Sequence, residues 1–421
     1  MTMTPPTPRL ACSMLGARQH YEPMLMAQRA GWLSRFFTDL WTPSLQPLAQ
    51  YIPSKLYRRA VGRYSSELPN EKVRSFPSLG IYYRWAQRQA RSRSELYDVY
   101  TKVGAMFDNA VASRLREDDL DVFLGFNTAS LASLKKANSL GIRTLLTQID
   151  AARTAYDLVA EEEKRFPDLS PDPIPKPEKY FNRIAEEWAV ADRVIVNSEW
   201  SKAALLSQGV PEQKLSVVPL SYNTLTRSRA REPWQGKLRV LWLGGVSIQK
   251  GLAYALEAAE MVKHLPVTFV FAGPLDIRGN RLPLPSNCEY IGAVPRADIM
   301  NLYNRNDVFL FPTLSDGFGL TQVEAMAHGL PVIATSNCGD VVEHGKSGFR
   351  VPARDGAAIA DAIKQFVDVP DLLPEMSQAT LDRSKHFHPD RIWEQQRVVI
   401  LPQTDRQVLE YGSQSATVTQ S

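Results

Sequence analysis

Apolar and polar residues follow two alternating rhythms along this chain. Short continuous apolar runs predict strands buried on both faces, and longer stretches with apolar residues three or four positions apart predict amphipathic helices. The runs Val267–Ala272 and Val308–Pro312 have the length of strands. Because strands and helices alternate, the pattern predicts an α/β fold with parallel sheets.

The first half of the chain predicts one α/β domain over residues 1–220. Ser170–Pro177 is predicted to be a surface loop because it is rich in proline, which breaks regular structure. Strands are predicted at Arg9–Leu15, Val122–Phe126, Thr144–Gln148, Arg193–Val196 and Leu215–Pro219, and helices at Glu22–Ala30, Ala129–Ser139, Tyr180–Ala191 and Ser201–Gln208, the last with Ser198 as N-cap.

The second half predicts another α/β domain over residues 237–385, after a polar linker at Ser221–Gly236. A helix within 386–402 is expected to cross back to the first domain, and the polar tail 403–421 is expected to be disordered. Strands are predicted at Leu238–Leu243, Val267–Ala272, Glu289–Ile291, Val308–Phe311 and Pro331–Ala334, and helices at Gly251–Val262, Leu320–His328, Gly356–Phe366 and Pro389–Val399, with a proline-broken region before the last helix.

Composition narrows the class of protein. The apolar content of 44% is ordinary for a soluble protein, and no apolar stretch is long enough to span a bilayer. The first residues lack the basic start and apolar block of a secretory signal, so a cytoplasmic protein is expected. Cys12, Cys288 and Cys338 lie far apart in sequence and are expected to be reduced.

Positive charge is concentrated in residues 51–102, although the net charge of the chain is only +4. This basic region has three open interpretations: contact with an anionic membrane on the cytoplasmic face, recognition of an acidic acceptor, or an ordinary solvated helix face. No nucleic-acid recognition motif accompanies the charge, so nucleic acid is not an expected partner. The cations considered are Lys55, Arg58, Arg59, Arg63, Arg84, Arg88, Arg91 and Arg93.

The segment from Phe311 to Val332 carries the clearest chemical signal. A strand ends at Pro312, a loop with Gly317 and Gly319 follows, and a helix begins near Leu320. Free backbone amides and the positive end of the helix dipole therefore face the loop, which is an anion-binding arrangement.

Two acids bracket this anion site, Asp316 before the helix and Glu324 within it. The carboxyl groups of a glycosidase pair lie roughly 5–10 Å apart, whereas helical rise over eight residues places these acids about 12 Å apart. They are therefore expected to hold the two ends of an elongated ligand. A nucleotide sugar has this shape, with ribose hydroxyls at Glu324, sugar hydroxyls at Asp316 and the diphosphate at the amides of Gly319 and Leu320.

These motifs together resemble the retaining glycosyltransferases of family 4. The spacing of Asp316 and Glu324 is similar to the family's pair of acids with seven residues between them, and Gly244–Gly251 resembles its glycine turn followed by Lys-Gly. Further similarity extends through 187–355, in Glu187–Pro219, Phe271–Gly273, Ile291–Val294 and Gly339–Gly348.

The resemblance implies a GT-B fold, in which two Rossmann-like domains face each other across a cleft. It also implies a nucleoside-diphosphate sugar as donor substrate, no metal ion or other cofactor, and Lys250 as the cation that neutralises the leaving diphosphate. Asp316, Lys250 and Glu324 are the implied catalytic-site residues. The implied donor-binding residues are Gly16, Gly244, Gly245, Lys250, Gly273, Val294, Asp316, Gly317, Phe318, Gly319, Leu320, Thr321 and Glu324.

Two positions depart from the family pattern. Asp316 stands where the family usually has Glu, and Gly245 stands where it usually has Arg. The sequence leaves three candidates to replace the missing phosphate-binding cation, namely Arg18, Lys202 and Arg278.

Asp150 ends a predicted strand at the cleft, where it is expected to touch acceptor or sugar or, equally, to cap a helix. Gly16 follows the first strand, either against the donor phosphates as in the family or as an ordinary turn glycine.

The expected activity is transfer of a hexose-type sugar, with retention, to a hydroxyl of a saccharide, lipid or small-molecule acceptor. The two acids position the donor in this scheme. A nucleotide-sugar epimerase of the same fold and a catalytically weak nucleotide-sugar-binding protein remain alternatives, the latter because of Gly245.

Overall fold

A computed structural model describes residues 7–43, 62–116, 120–170, 176–223, 229–277 and 282–401. These residues form two α/β domains, each built on a sheet in which every strand pair is parallel. None of the helices in these ranges has the length and apolar character needed to cross a bilayer.

The N-terminal domain contains a seven-stranded sheet in the order β3-β2-β1-β4-β5-β6-β7. The strands are β1 Leu10–Met14, β2 Leu33–Thr38, β3 Val73–Ser75, β4 Val122–Phe126, β5 Arg143–Gln148, β6 Arg193–Val196 and β7 Leu215–Val217. Its helices are α1 Glu22–Arg29, α2 Pro77–Gln89, α3 Arg93–Ala112, α4 Leu131–Ser139, α5 Arg153–Arg165, α6 Glu178–Val190 and α7 Glu199–Ser207.

The C-terminal domain contains a six-stranded sheet in the order β10-β9-β8-β11-β12-β13. The strands are β8 Leu238–Leu243, β9 Val267–Ala272, β10 Cys288–Gly292, β11 Val308–Phe311, β12 Val332–Thr335 and β13 Gly348–Val351. The helices are α8 Leu252–Met261, α9 Ile299–Asn304, α10 Leu320–Ala327, α11 Gly356–Asp368, α12 Leu372–Ser384 and α13 Pro389–Ile400.

The predicted elements lie where the apolar runs are unbroken. Strands β4, β6, β8, β9 and β11 have their predicted bounds. The prediction of a proline-broken region before α13 is wrong, because Pro374 lies in the first turn of α12, where its missing N–H breaks no hydrogen bond. Strand β2 was not predicted, since Ser34 and Arg35 interrupt its apolar run.

Strand order places the candidate site. In the first sheet β1 lies between β2 and β4, and in the second β8 lies between β9 and β11. The chain reverses its direction of travel across the sheet at β1/β4 and at β8/β11, and ligands of such sheets bind beyond the carboxyl ends of the strands at these switch points. The loops after β8 and β11 therefore frame the crevice of the C-terminal domain.

Ion pairs join the two domains beside the cleft. Glu162 of α5 is fully buried, accepts a 2.5 Å hydrogen bond from the hydroxyl of Tyr254 on α8 and pairs with Arg354 at 2.8 Å. Arg354 also pairs with Glu161 at 2.7 Å. Because α5 belongs to one domain and its partners to the other, these contacts connect the two domains.

Helix α13 lies against the N-terminal domain. The guanidinium of Arg143 donates hydrogen bonds to the carbonyls of Ile400 and Val399, at 2.8 and 3.1 Å. The Trp393 ring packs edge-on to Trp32, with centroids 5.1 Å apart. The predicted domain boundaries, including those of the linker and of the tail at 403–421, stay predictions; the linker residues 224–228 and the tail lie outside the described residues.

Candidate active site

The loop after β8 is fixed to the loop after β11. The carbonyl of Gln249 accepts hydrogen bonds from the Leu314 amide at 2.9 Å and the Thr313 hydroxyl at 3.2 Å. Gly251 has φ of +82°, and a Cβ there would lie 1.7 Å from the Pro312 carbonyl oxygen. Only glycine permits this approach, which sets the direction of the preceding residue, Lys250.

Lys250 and Asp316 meet at the carboxyl ends of β8 and β11. The ammonium of Lys250 forms an ion pair with Oδ2 of Asp316 and lies 5.7 Å from the centre of the Phe311 ring. The other Asp316 oxygen accepts from the Phe318 amide at 3.2 Å, and the Asp316 amide donates to the Asn337 carbonyl at 2.9 Å. Both charged side chains are partly exposed, so the pair is open to a ligand.

Helix α10 starts directly behind this pair. Gly319, its N-cap, has φ of +80°, and no side chain caps the helix. The amides of the first turn, which begins at Leu320 and Thr321, lack intrahelical partners by construction. The Phe318 side chain is buried against the Phe387 ring, with centroids 5.7 Å apart, and so fixes the loop. The helix end therefore presents free backbone amides on the side of Lys250, an arrangement typical of anion sites.

Glu324 lies one turn further along α10. Its Oε2 accepts a 3.0 Å hydrogen bond from the hydroxyl of Tyr303, which is buried and stacked on His328. Burial raises the pKa of Glu324, against smaller lowering effects of the Tyr303 hydrogen bond and the Arg296 charge. The Glu324 residue as a whole is partly exposed.

The separation of the two acids does not follow from helical rise alone. Residues 317–319 are not helical, because α10 begins only at Leu320. The direction of each carboxylate is set instead by its own partner, Lys250 for Asp316 and Tyr303 for Glu324.

The remaining predicted donor-binding positions of this domain surround the β8 loop. Gly273 has φ of +144°, and a Cβ there would lie 1.7 Å from the Gly244 carbonyl oxygen, so the β9 loop packs directly on the β8 turn. By contrast, a Cβ at Gly245 would meet nothing within 4 Å, and its φ is not in the left-handed region. Val294 is partly buried against the core. A side chain at Gly245 would therefore meet open space.

The loop after β1 faces the cleft from the N-terminal domain. Gly16 has φ of +97°, and its amide donates to the buried carboxylate of Asp39 at 2.9 Å. Arg63 donates to the same Asp39 oxygen at 2.7 Å. Positive φ values at Gln19 and His20 mark backbone strain of the kind that concentrates at functional sites.

Arg63 and Arg93 belong to the basic region for which the sequence leaves three interpretations open, and the structure pairs both with acids. Arg63 binds Asp39, and Arg93 binds Glu163 at 2.5 Å. Their charges are therefore engaged inside the fold. Lys55, Arg58 and Arg59 lie outside the described residues.

Asp150 lies at the junction of the two domains. Its Oδ1 accepts hydrogen bonds from Gln148 Nε2 at 2.9 Å and the Ala152 amide at 3.0 Å. A Cβ at Gly317 would lie 1.9 Å from the Ile149 carbonyl oxygen, so the Asp316–Gly317 loop touches the Asp150 loop. Burial raises the pKa of Asp150 and the Asp316 charge adds to this, while hydrogen bonds and the Arg18 charge lower it.

Of the three cations predicted to compensate for Gly245, Arg18 is the one whose charge acts on Asp150 at the cleft. Lys202 is paired with Glu212 at 3.0 Å, and Arg278 lies outside the described residues.

Sequence reasoning missed several residues that shape the site. Tyr303 orients Glu324, Asp39 holds the Gly16 loop, and Arg296 contacts His20 across the domains. Asp39 directly follows β2 at the cleft edge, a position that signals function in parallel sheets. Tyr303 and Arg296 carry no comparable local signal.

Part of the C-terminal domain matches a known family model. Residues 237–368 match the family model described as Glycosyl transferases group 1. The chain is 28% identical over 177 residues to the amylovoran biosynthesis glycosyltransferase AmsK of Erwinia amylovora, covering 37% of this chain and 42% of AmsK. The chain thus aligns with less than half of that relative's length.

Solved structures match the chain almost end to end. Sucrose-phosphate synthase from Thermosynechococcus elongatus aligns with a TM-score of 0.64 and 18% identity, covering 96% of this chain and all of that one. Anabaena Alr3699/HepE, in complex with UDP and glucose, aligns with a TM-score of 0.58 and 15% identity over 93% and 99% of the two chains. At these identities the likeness concerns the fold, and the predicted GT-B fold is confirmed.

Proposed function

We propose that this protein is a retaining, metal-independent glycosyltransferase that moves a hexose-type sugar from a nucleoside-diphosphate donor to a hydroxyl of an acceptor. The group 1 match over 237–368 and the similarity to AmsK support glycosyl transfer in polysaccharide biosynthesis. The solved structure of HepE, whose fold is similar, is of a complex with UDP and glucose. This favours a nucleotide sugar as the donor of the present protein.

The observation that carries this proposal is the ion pair of Lys250 and Asp316 beside the N-terminus of α10. An amide array with an adjacent cation suits a diphosphate, and the carboxylates on either side accept from hydroxyls. The diphosphate takes the place beside Lys250, Asp316 binds sugar hydroxyls and Glu324 binds the ribose. Lys250 contributes most in the transition state, because the charge of the leaving group grows there.

In the proposed reaction the bond between the anomeric carbon and the diphosphate oxygen breaks, and its electron pair stays on the diphosphate. The acceptor oxygen bonds to that carbon on the face from which the diphosphate departs, and the hydroxyl proton passes to the departing diphosphate. Asp316 and Glu324 act by positioning, which can account for about 7–11 kcal/mol of a barrier.

A donor screen tests the proposal. Nucleotide sugars are compared for thermal stabilisation of the full chain, since a ligand that binds only the folded state raises its stability. The stabilising donor is then incubated with and without acceptors, and NMR identifies the product anomer. A new glycoside of retained configuration supports the transferase; the donor epimerised in the absence of acceptor supports the epimerase, which the comparisons do not favour. Binding without turnover supports the weak binding protein.

Replacing Tyr303 by phenylalanine is expected to shift the pH dependence of donor binding. The Tyr303 hydrogen bond lowers the pKa of Glu324, so its loss raises that pKa further. Because the ionised carboxylate is the acceptor for ribose hydroxyls, affinity is lost as pH falls through the folded pKa. Calorimetry from pH 8 to pH 5 should therefore show the acid limb at higher pH in Tyr303→Phe. If the pH profiles of Tyr303→Phe and wild type superimpose, the titration of Glu324 does not control donor binding.

Placing arginine at Gly245 is expected to strengthen donor binding by about tenfold, the gain of one charge-assisted hydrogen bond. The position has room and an ordinary φ. The matched control is Gly244→Arg, where φ of +151° strains any side chain, so the protein loses stability instead. Unchanged donor affinity in a stably folded Gly245→Arg protein would show that no phosphate lies within reach.

We also propose a peripheral contact between the basic region and an anionic membrane; the cytoplasmic location stays a prediction. Helix α2 exposes Ile81 and Trp85, at 66% and 56%, on one face, with exposed Arg88 a turn away. In sedimentation with vesicles containing phosphatidylglycerol, the wild type should pellet with the vesicles and the double variant Trp85→Ala/Arg88→Glu should stay in the supernatant. The control is Tyr290→Ala, which removes an exposed aromatic ring of the other domain and should pellet like the wild type. A wild type that ignores such vesicles would end this idea.

A further inference from the structure

A cavity of about 380 Å³ lies between the two domains, next to the proposed donor site. Its volume falls in the lower part of the ~300–1,000 Å³ range of small-ligand pockets. Helices α3, α5 and α6 line it from the N-terminal domain, and residues 247–249 and 276 line it from the C-terminal domain. Both domains therefore contribute walls to the cavity.

The cavity lies beside the Asp316–Gly317 loop and the residue before Lys250. Asp150 lines it and lies against Gly317, whose Cβ position is 3.2 Å from the Asp150 Cα. Gln249 also lines it and directly precedes Lys250. A ligand in the cavity would consequently lie next to the sugar end of a donor bound at Asp316.

Aromatic rings form much of the wall. Tyr97 and Tyr180 pack edge-to-face with centroids 5.0 Å apart, and Tyr156 packs similarly on Phe181 at 5.4 Å. Burial raises the pKa of Tyr97 to about 12, so its phenol stays neutral and can both donate and accept hydrogen bonds. Apolar ring faces edged with hydroxyls match a sugar ring, which has C–H faces and a hydroxyl rim.

The charge of the wall disfavours an anionic ligand. Among the described lining residues, Asp150, Glu163 and Asp276 are acids and Arg93 is the one cation. Arg93 is already paired, with Glu163 at 2.5 Å and Asp276 at 3.7 Å. A phosphate or carboxylate here would face carboxylates at short range in a partly desolvated space, which is repulsive. Hydroxyl groups, by contrast, donate to carboxylates.

We infer that this cavity binds the acceptor through an uncharged saccharide unit, with ring faces against Tyr97 and Tyr180 and hydroxyls on the carboxylates of Asp150 and Asp276. This inference rests on the proposed transferase function and adds the acceptor class to it. It selects a sugar hydroxyl, among saccharide, lipid and small-molecule acceptors, as the nucleophile. It also assigns Asp276, a residue of the donor domain, to acceptor recognition.

The test compares neutral and anionic glycosides as acceptors. Wild type is supplied with UDP-glucose, or with the donor that stabilises it most, and with methyl glucoside, galactoside and mannoside. The matched anionic set is methyl glucuronide and methyl glucoside 6-phosphate. In parallel, saturation-transfer NMR with UDP present detects binding of each glycoside without relying on turnover. We expect binding and transfer in the neutral set and at least about tenfold weaker binding in the anionic set, the cost of one unfavourable charge contact.

Variants locate the binding. Tyr180→Ala removes a ring and Asp276→Asn removes a charge; both are expected to raise the acceptor KM about tenfold or more while donor affinity stays unchanged. The melting temperature is expected to stay unchanged in Asp276→Asn and to fall in Tyr180→Ala, which also loses ring packing against Tyr97 and Phe181. Tyr64→Phe, whose ring packs on Trp41 outside the cavity, is the control. Tyr180→Phe, which keeps the ring, is expected to lie between Tyr180→Ala and wild type.

Three results would overturn the inference. They are a preference for anionic glycosides, no binding of any neutral glycoside at high millimolar concentration, or cavity variants that weaken donor binding and leave the acceptor KM untouched. Failure of the proposed function has a different signature, since no nucleotide sugar would then stabilise or be consumed by the wild type.

Discussion

Replacing Lys250 by alanine is expected to lower the rate of sugar transfer by about 10²–10³-fold, the loss typical of removing one preorganised group that stabilises transition-state charge. The ammonium lies at the carboxyl ends of β8 and β11 beside the open start of α10. Its removal also leaves Asp316 near the diphosphate without its cation, which adds repulsion. Steady-state kinetics at saturating donor measure the loss in kcat.

The matched control is Lys263→Ala, a surface lysine of the same domain that is paired with Glu260 and is expected to be neutral for activity. The double variant Lys250→Ala/Asp316→Asn separates two causes of the loss. If repulsion from Asp316 dominates, the second change restores donor affinity; if the missing cation dominates, kcat stays low. A Lys250→Ala enzyme with wild-type kcat would contradict the proposed role.

Replacing Glu324 by alanine is expected to weaken donor binding by about 10- to 100-fold, the equivalent of a hydrogen bond to a charged group at about 1.5–3 kcal/mol. Tyr303 holds one carboxylate oxygen, and the group stays partly exposed on the first turns of α10. The loss should appear equally with UDP-glucose, UDP and uridine, because the proposed contact is to the ribose. Calorimetry with the three ligands measures it.

Lys250→Ala provides the complementary pattern, since it should weaken the binding of UDP and leave the binding of uridine unchanged. Glu260→Ala removes an exposed acid of α8 and is the control. Equal affinity of Glu324→Ala and wild type for uridine would exclude the ribose contact. The two variants together therefore map the orientation of the donor along the crevice.

The sequence predicted the elements that depend on neighbouring residues. Continuous apolar runs predicted β9 and β11 with their full bounds, since a strand buried on both faces needs no polar side chain. The sequence at Pro312–Leu320 also predicted the glycine loop and the helix start at Leu320, because free helix amides are a local property; that an anion binds there stays a prediction. Strand β2 was missed where Ser34 and Arg35 interrupt the run.

Partners distant in sequence were beyond such reasoning. Tyr303 is 21 positions from Glu324, and Asp39 is 23 from Gly16. Nothing in the residues around either member indicates its partner, because each contact exists only after the strands have taken their order. The same holds for the interdomain cavity, whose walls come from both domains.

The amino-acid sequence by itself determined two α/β domains with parallel sheets and a helix start with free amides, the feature predicted to bind a diphosphate. Both depend on the pattern of apolar residues and on backbone capping, which act over a few residues. Only the tertiary structure decided that Lys250 meets Asp316 and that Asp150 and Asp276 share one aromatic cavity. These pairings depend on strand order and on domain closure, in which long-range packing brings separate loops to the same edge of the sheet.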